Sequence, residues 1–380
     1  MSAPSQSKGH ILVDHELAAL LGKAIRVRAP SPHVLPTQVQ PASVDLRLGA
    51  RAWRVRAGFL PGGAPLETRL SELAIAELSL EKNGAVLEKG QVYLVQLEEE
   101  LGLPPDLRAR FNPRSSTGRC DIFTRVLADG HSRFDEAPAG YKGKLWIEVS
   151  PLSFPVRLKR GDRLCQLRLV KGVAALDRHE LEALHARTPL VHEGDRKLKV
   201  EELRIDDDGC IALSVGLEGR EPAGWRAAHH TDVLEFSADG AHDPHDFWEP
   251  VHARGGRCIL GPGSFYIFAS RERLSIPPKH AAEMLPVDIG IGELRNNYAG
   301  FFDNGFGWRT SQDGRQLPGG TPAVLEVRAH DVPFLVEDGQ LFCRLRFFRT
   351  SGRPEKIYGE GRTTSYRDQD LTLARCFKRA

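Results

Sequence analysis

An internal duplication constrains this 380-residue chain more than any other feature. Residues 87–93 recur 173 positions later as 260–266. Residues 148–168 recur 178 positions later as 326–346, with the same glutamate, valine, proline, glycine, cysteine, leucine and arginine in register. Self-similarity at this spacing predicts two copies of one structural unit in tandem.

Each copy consists of short segments in which apolar and polar residues alternate, separated by turns with glycine and proline. This pattern is typical of all-β sandwiches and barrels. Helices are predicted only at residues 14–25, where Asp14 caps the first turn, and at 174–186. The polar segment 187–199 is the predicted linker. We therefore expect one domain at residues 1–186 and a second at 187–380.

Charge and cysteine content exclude several classes of protein. The 52 basic and 50 acidic residues leave a net charge of +2, which argues against nonspecific nucleic-acid binding. The six cysteines form no CxxC pair, which argues against a disulfide scaffold and a thiolate zinc site. Neither a signal peptide nor a membrane-spanning stretch is recognisable, so a reducing cytoplasm is the expected location.

The two copies differ most after a shared proline. Copy one continues Arg114-Ser115-Ser116-Thr117-Gly118-Arg119, whereas copy two continues Val-Asp-Ile-Gly-Ile-Gly over residues 287–292. Two guanidinium groups, hydroxyls and turn amides within six residues form a cluster of donors suited to a phosphate chain. The alternative is an ordinary solvated turn, with the difference between the copies due to drift.

Glu148 is the second candidate for a functional residue. Alternation in residues 145–149 places Trp146 and Glu148 on one face of a strand and the apolar residues on the other. A partly desolvated carboxylate beside an indole ring has a raised pKa and can accept a proton near neutral pH. A solvent-facing strand position is the alternative. The repeat of this residue as Glu326 favours a structural role shared by both copies.

Two further segments are polar and aromatic. Arg133-Phe134-Asp135, followed by Gly-Tyr-Lys-Gly at 140–143, predicts a turn before the glutamate strand, and copy two echoes it in residues 302–306. The C-terminal stretch 358–369 contains Tyr358, Tyr366 and Gln369 and suits either a lid that orders on a ligand or a disordered tail. A metal site at His242 and His245 lacks a third cluster of ligands and is not expected.

Taken together, these motifs resemble the dCTP deaminase family of the dUTPase-like superfamily. The matching segments occur in the family's order and span nearly the whole chain: Gln-Pro-Ala-Ser-Val-Asp-Leu-Arg-Leu-Gly at 40–49, the Arg114 to Arg119 motif, Arg133 to Asp135 with 140–143, Glu148, Tyr358, and Tyr-Arg-Asp-Gln at 366–369. An ordinary member is a single domain of about half this length, so the chain resembles a tandem version.

The resemblance implies two distorted jelly-roll β-barrels with a few short helices, and nucleotide sites between neighbouring domains. It implies that Ser115, Ser116 and Arg119 hold the triphosphate while Arg114 orders their turn. Glu148 matches the family's general base, Arg133 and Asp135 lie on the base and sugar side, and the closing tail contains Tyr358, Tyr366 and Gln369. Magnesium is expected through the substrate's phosphates, and three chains are expected to assemble.

The implied reaction converts dCTP to dUTP and ammonia without a protein-bound metal. The sequence lacks the H-x-E and P-C-x-x-C signatures with which zinc deaminases activate water. A trimeric dUTPase shares the serine turn but does not usually place glutamate at position 148. Two alternatives stay open: a bifunctional enzyme that releases pyrophosphate and forms dUMP, and a module that binds nucleotides without turnover.

Overall fold

A computed structural model describes residues 8–27, 36–286, 294–296, 300–313, 315–329, 331–358 and 370–379. Most of these residues that form regular structure lie in β-strands, which confirms the all-β prediction. The helices in the described ranges are α1 (Asp14–Leu20), α2 (Leu66–Leu73), α3 (Ser115–Arg119) and α4 (Arg178–Arg187), with 3-10 turns at Pro36–Gln38, Val200–Glu202 and Pro244–Asp246.

The strands follow one another along the chain in two groups. The first group is β1 (His10–Ile11), β2 (Ile25–Val27), β3 (Val44–Leu46), β4 (Leu48–Val55), β5 (Ala74–Ser79), β6 (Ala85–Leu87), β7 (Val92–Gly102), β8 (Leu107–Pro113), β9 (Ile122–Ala128), β10 (Glu136–Ala137), β11 (Lys142–Pro151), β12 (Val156–Leu158) and β13 (Cys165–Lys171). The second group is β14 (Val191–Glu193), β15 (Arg196–Lys197), β16 (Ile211–Ser214), β17 (Gly224–Ala227), β18 (Leu234–Glu235), β19 (Trp248–Val251), β20 (Arg257–Leu260), β21 (Phe265–Leu274), β22 (His280–Pro286), β23 (Leu294–Asn296), β24 (Phe301–Phe302), β25 (Thr321–Ala329), β26 (Phe334–Glu337) and β27 (Leu341–Arg349).

The two groups repeat the same antiparallel pairings. In the first, β11 pairs with β7 and β13 pairs with β8. In the second, β25 pairs with β21 and β27 pairs with β22. The register also repeats, since Glu148 lies opposite Leu94 and Glu326 lies opposite Ile267. The two glutamates therefore occupy equivalent positions in equivalent sheets.

Helix α4 and the segment after it pack on the second core. Asp177 caps α4 by accepting a hydrogen bond from the Glu180 amide, and Leu181 and Leu184 join the second hydrophobic cluster. The predicted linker 187–199 contains β14 and β15, and Val191 of β14 pairs with Leu274. This segment is an edge of the second sheet because its apolar residues are buried there. Helix α1 also differs from the prediction: it ends at Leu20, and β2 begins at Ile25.

Buried polar contacts join the two domains. Arg168 of β13 donates to the Glu283 carboxylate of β22 at 2.6 Å, and Asn112 of β8 donates to the same oxygen at 2.8 Å. Arg328 of β25 pairs with Asp121, which lies just before β9. Since each of these groups loses water when buried, pairing across the interface offsets the cost of burial. No helix among the described residues is long and apolar enough to span a membrane.

Candidate active site

Helix α3 carries the arginine and serine motif and lies where the two domains meet. It follows β8 directly, with Arg114 as its N-cap residue in extended conformation. Thr117 faces inward and donates to the Leu164 carbonyl at 2.8 Å, and Ser116 and Arg119 are buried. The single turn is therefore held in place by its own threonine, and its polar side chains are enclosed.

Arg114 anchors this turn to the Gln-Pro-Ala-Ser-Val-Asp motif. Its Nε lies 3.2 Å from Oδ1 of Asp45, and Arg163 approaches Oδ2 of the same carboxylate at 3.7 Å. Burial raises the pKa of Asp45, and both arginines act against that rise. The geometry fits the ordering role that the resemblance implies for Arg114, which stays a prediction.

The described C-terminal residues 370–379 also contact α3. The Arg119 guanidinium donates to the Thr372 carbonyl at 2.8 Å. The thiols of Cys120 and Cys376 are buried with their sulfur atoms 3.8 Å apart. Leu373, with other apolar residues of this segment, packs into the first hydrophobic cluster. The segment thus covers one side of α3.

Glu326 of the C-terminal domain lies against α3. Its carboxylate is so close to Gly118 that a Cβ atom there would be 2.5 Å from Oε2 and 2.8 Å from Cδ. Glu326 is only 6% exposed, and no hydrogen bond or ion pair to it is found among the described residues. Burial raises its pKa to about 8; the Arg119 charge acts against this rise and the Asp121 charge adds to it. A protonatable group with a pKa near neutrality thus lies beside the cationic turn.

Glu148 lies in a different environment. It is buried on β11, on the same side as Trp146, which packs with Leu66 and Leu70 of α2. Arg125 of β9 donates to its Oε1 from two nitrogens, at 3.0 and 2.6 Å. Arg125 is three positions beyond the start of β9, about 10 Å of strand from the end that adjoins α3. Within the chain, the structure therefore does not bring Glu148 to α3.

Arg133 and Asp135 lie on the Glu148 side. Arg133 is exposed and pairs with Glu136 at 2.8 Å. Asp135 accepts a hydrogen bond from the Val126 amide at 2.8 Å, and burial raises its pKa to about 7. The negative charge of Glu148 adds to that rise. Asp135 and Glu148 are therefore electrostatic neighbours in the N-terminal domain, whereas the structure shows no contact of either with α3 in the described ranges.

Asp303 is the counterpart of Asp135 in the second copy, and it faces the N-terminal domain. Its Oδ1 accepts a hydrogen bond from the Ala42 amide at 3.2 Å. Burial raises the pKa of Asp303 to about 7, and the charges of Asp45 and Arg114 act on it. Sequence reasoning missed Asp303 and Glu326 as site residues, although the duplication itself was the signal that pointed to them.

Of the three predicted tail residues, Tyr358 is among the described residues. The Tyr358 amide donates to the Asn304 carbonyl at 2.9 Å, and its ring lies 5.4 Å from that of Phe306. Tyr358 is thus next to the turn that carries Asp303. Tyr366 and Gln369 lie outside the described residues.

The residues around α3 suit a phosphate chain better than a metal ion. The described ranges contain no group of three His, Cys, Asp or Glu side chains placed to hold a metal. Guanidinium and hydroxyl groups donate to phosphate oxygens, whereas Mg²⁺ takes oxygen ligands, usually water, carboxylates and phosphates. The donor set therefore fits phosphate oxygens, and magnesium bound through those phosphates stays a prediction.

Two family models and a solved structure match this chain. Models of the N-terminal and C-terminal domains of 2'-deoxycytidine 5'-triphosphate deaminase match residues 8–173 and 177–377. A crystal structure of 2'-deoxycytidine 5'-triphosphate deaminase from Agrobacterium tumefaciens is 44% identical, covers 92% of this chain and 100% of its own, and superposes with a TM-score of 0.79. This likeness confirms the predicted fold class of tandem dUTPase-like barrels.

Shorter relatives match parts of the chain. A dCTP deaminase from Halorubrum lacusprofundi is 35% identical over 41% of this chain and 75% of its own length. A dUMP-forming dCTP deaminase from Methanosphaera stadtmanae is 32% identical over 34% of this chain and 64% of its own length. The chain therefore belongs to the dCTP deaminase family of enzymes, in a form that carries the N-terminal and C-terminal domains in tandem.

Proposed function

We propose that the protein hydrolyses dCTP to dUTP and ammonia at the boundary between its two domains. The observation that carries the proposal is the contact of a buried carboxylate, Glu326, with the turn that carries Arg114, Ser115, Ser116 and Arg119. Cationic donors and a proton acceptor at one place are what a nucleotide deaminase without a protein-bound metal requires.

The chemistry needs one carboxylate that acts twice. The glutamate takes a proton from water as the water oxygen bonds to C4 of cytosine, and it delivers that proton to N3. The glutamate then takes the proton of the new hydroxyl and passes it to the amino group. The C4 to nitrogen bond breaks, and ammonia leaves with a carbonyl at C4. General acid and base catalysis of this kind contributes typically about 100-fold to 10,000-fold in rate.

The predicted substrate contacts follow from the same arrangement. Ser115, Ser116 and Arg119 hold the triphosphate, and Arg114 holds their turn against Asp45. Magnesium bound to the phosphates would supply charge neutralisation. Arg133, Asp135, Tyr358, Tyr366 and Gln369 stay predicted contacts of the base, the sugar or the tail.

Product analysis tests the reaction. The protein is incubated with dCTP and Mg²⁺, ammonia is measured, and the nucleotides are separated by ion-exchange chromatography. Ammonia with accumulating dUTP is the expected result. Nucleotide-dependent thermal stabilisation without ammonia would instead make the protein a binding module and contradict the proposal.

The second candidate is the bifunctional reaction that ends at dUMP and pyrophosphate. Relatives named dCTP deaminase, dUMP-forming, match this chain about as well as those named dCTP deaminase. The same chromatogram distinguishes the two, since dUMP and pyrophosphate would replace dUTP.

Assembly is the remaining part of the proposal. Three-fold rings of this fold need three domains and each chain carries two, so we expect three chains with six barrels. A monomeric mass in light scattering would contradict this expectation. The cytoplasm stays the expected location.

A further inference from the structure

The duplication gives the chain two glutamates at equivalent strand positions but a single arginine and serine turn. Glu148 and Glu326 lie opposite Leu94 and Ile267, which are themselves equivalent in the two repeats. The stretch of copy two that corresponds to α3 reads Val-Asp-Ile-Gly-Ile-Gly and contains neither arginine nor serine. One phosphate-binding turn per chain must therefore serve one of the two glutamates.

The single turn is in contact with the glutamate of the opposite domain. Gly118 of α3 leaves no room for a side chain between its backbone and the Glu326 carboxylate. The positive charge of Arg119 acts on the same carboxylate. Since Glu326 already occupies this face of α3 within the chain, the same face is closed to Glu148 of a neighbouring chain.

Other residues after the second repeat begins also lie near helix α3 or its N-cap residue Arg114. Asp303 accepts a hydrogen bond from the Ala42 amide of the N-terminal domain. Burial raises the pKa of Asp303, and the positive charge of Arg114 acts against that rise. Tyr358 lies next to the Asp303 turn, and Thr372 accepts a hydrogen bond from Arg119. Asp303 and Glu326 come from the C-terminal domain and the arginine and serine turn comes from the N-terminal domain, so both domains contribute to the same place.

The Glu148 carboxylate, in contrast, is bound by an arginine of its own domain. Arg125 binds its carboxylate through two nitrogens, and the Arg125 guanidinium is stacked on Phe134 with 3.9 Å between the Cζ atom and the ring centre. Two hydrogen bonds from one guanidinium group to Oε1 hold the Glu148 carboxylate in a fixed orientation.

We propose that Glu326, and not Glu148, is the catalytic carboxylate, so that each chain holds one composite site between its two domains. This inference rests on the proposed function and names the residue that performs its proton transfers. Glu326 takes the proton from water and returns it to N3, while α3 holds the phosphates of the same nucleotide. Glu148 and Arg125 form a structural ion pair in the corresponding place of the N-terminal domain.

The test compares one substitution at two equivalent positions. Glu326→Gln and Glu148→Gln are prepared in the full-length chain, and ammonia release from dCTP with Mg²⁺ is measured beside the wild type. Glu326→Gln is expected to lose at least 100-fold in turnover. Glu148→Gln is expected to stay within about threefold of the wild type.

Binding is measured on the same proteins. Equilibrium dialysis with dCTP should give one nucleotide per chain for Glu326→Gln, because the triphosphate contacts are intact. Two nucleotides per chain would overturn the single composite site. If Glu326→Gln does not fold, as judged by circular dichroism, Glu326→Asp replaces it, and its shortened carboxylate should lower kcat more than it changes KM.

The outcomes separate this inference from the proposed function. Turnover that survives in Glu326→Gln and disappears in Glu148→Gln would overturn the assignment while leaving dCTP deamination established. Loss of turnover in both folded variants would also overturn it, since Glu148 would then be required for the reaction as well. A wild-type protein that releases no ammonia from dCTP would instead contradict the proposed function itself.

Discussion

The two copies of the repeat keep one glutamate at the same strand position and give it opposite surroundings. Glu148 packs beneath Gly58 of its own domain and is bound by Arg125. Glu326 packs against Gly118 of the other domain and has no hydrogen-bonding partner among the described residues. The hydrogen bonds from Arg125 hold the Glu148 carboxylate in one orientation. Burial without such a partner raises the pKa of Glu326. Equivalent positions therefore do not imply equivalent chemistry.

Substituting the glycine next to each glutamate tests this difference between the two copies. The largest effect is expected at Gly118. Gly118→Ala places a methyl group where the Glu326 carboxylate lies, so turnover should fall about 100-fold, as expected for a catalytic group displaced by about 1 Å. Neither Gly118 nor Gly58 has a positive φ, so alanine strains neither backbone. Steady-state kinetics with dCTP measures the loss.

Gly58→Ala is the matched control, because its methyl group would overlap Oε2 of Glu148. It should change turnover less than threefold. A large loss in Gly58→Ala together with an unaffected Gly118→Ala would reverse the comparison and assign the reaction to the Glu148 pocket.

Removing Arg125 should reduce stability and leave catalysis nearly unchanged. Arg125→Met leaves the buried Glu148 carboxylate without its arginine partner, at a cost of about 1–3 kcal/mol in the free energy of unfolding. Urea denaturation measures this cost, and adding Glu148→Gln should recover much of it. Turnover per folded molecule that falls more than tenfold would show that this ion pair takes part in the reaction.

The pH dependence of the wild type should follow Glu326. Burial raises its pKa to about 8, and a base must be deprotonated to accept a proton, so kcat/KM should fall about tenfold per pH unit below pH 8. Initial rates with dCTP between pH 6 and pH 9, a range of about three units around this pKa, give the profile. A profile that is flat through this range would contradict the assignment.

Replacing Asp121 should shift this pH profile slightly, which is the smallest effect expected. Its negative charge raises the pKa of Glu326, so Asp121→Asn should move the acidic limb of kcat/KM to lower pH by a fraction of a unit. The unpaired Arg328 charge would act in the same direction. Asp106→Asn, which removes an exposed carboxylate bound to Lys171, is the control and should leave the limb in place.

Much of the fold was readable because its signals are local. The alternation in residues 145–149 correctly placed Trp146 and Glu148 on one face of β11. The segment 187–199, predicted as a linker from its polar composition, contains β14 and β15, and its Val191 is buried through pairing with Leu274. Pairing between distant strands has no signature in a short window of sequence, so an edge strand with few apolar residues resembles a loop.

The amino-acid sequence by itself determined the repeat, the single arginine and serine turn, and the presence of a glutamate on the same strand of each copy. Only the tertiary structure decided which glutamate that turn meets. Gly118 and Glu326 are more than 200 positions apart, and their contact depends on how one barrel packs against the other. Alternation fixes the face on which a side chain lies, whereas the partner it finds there is set by packing between domains.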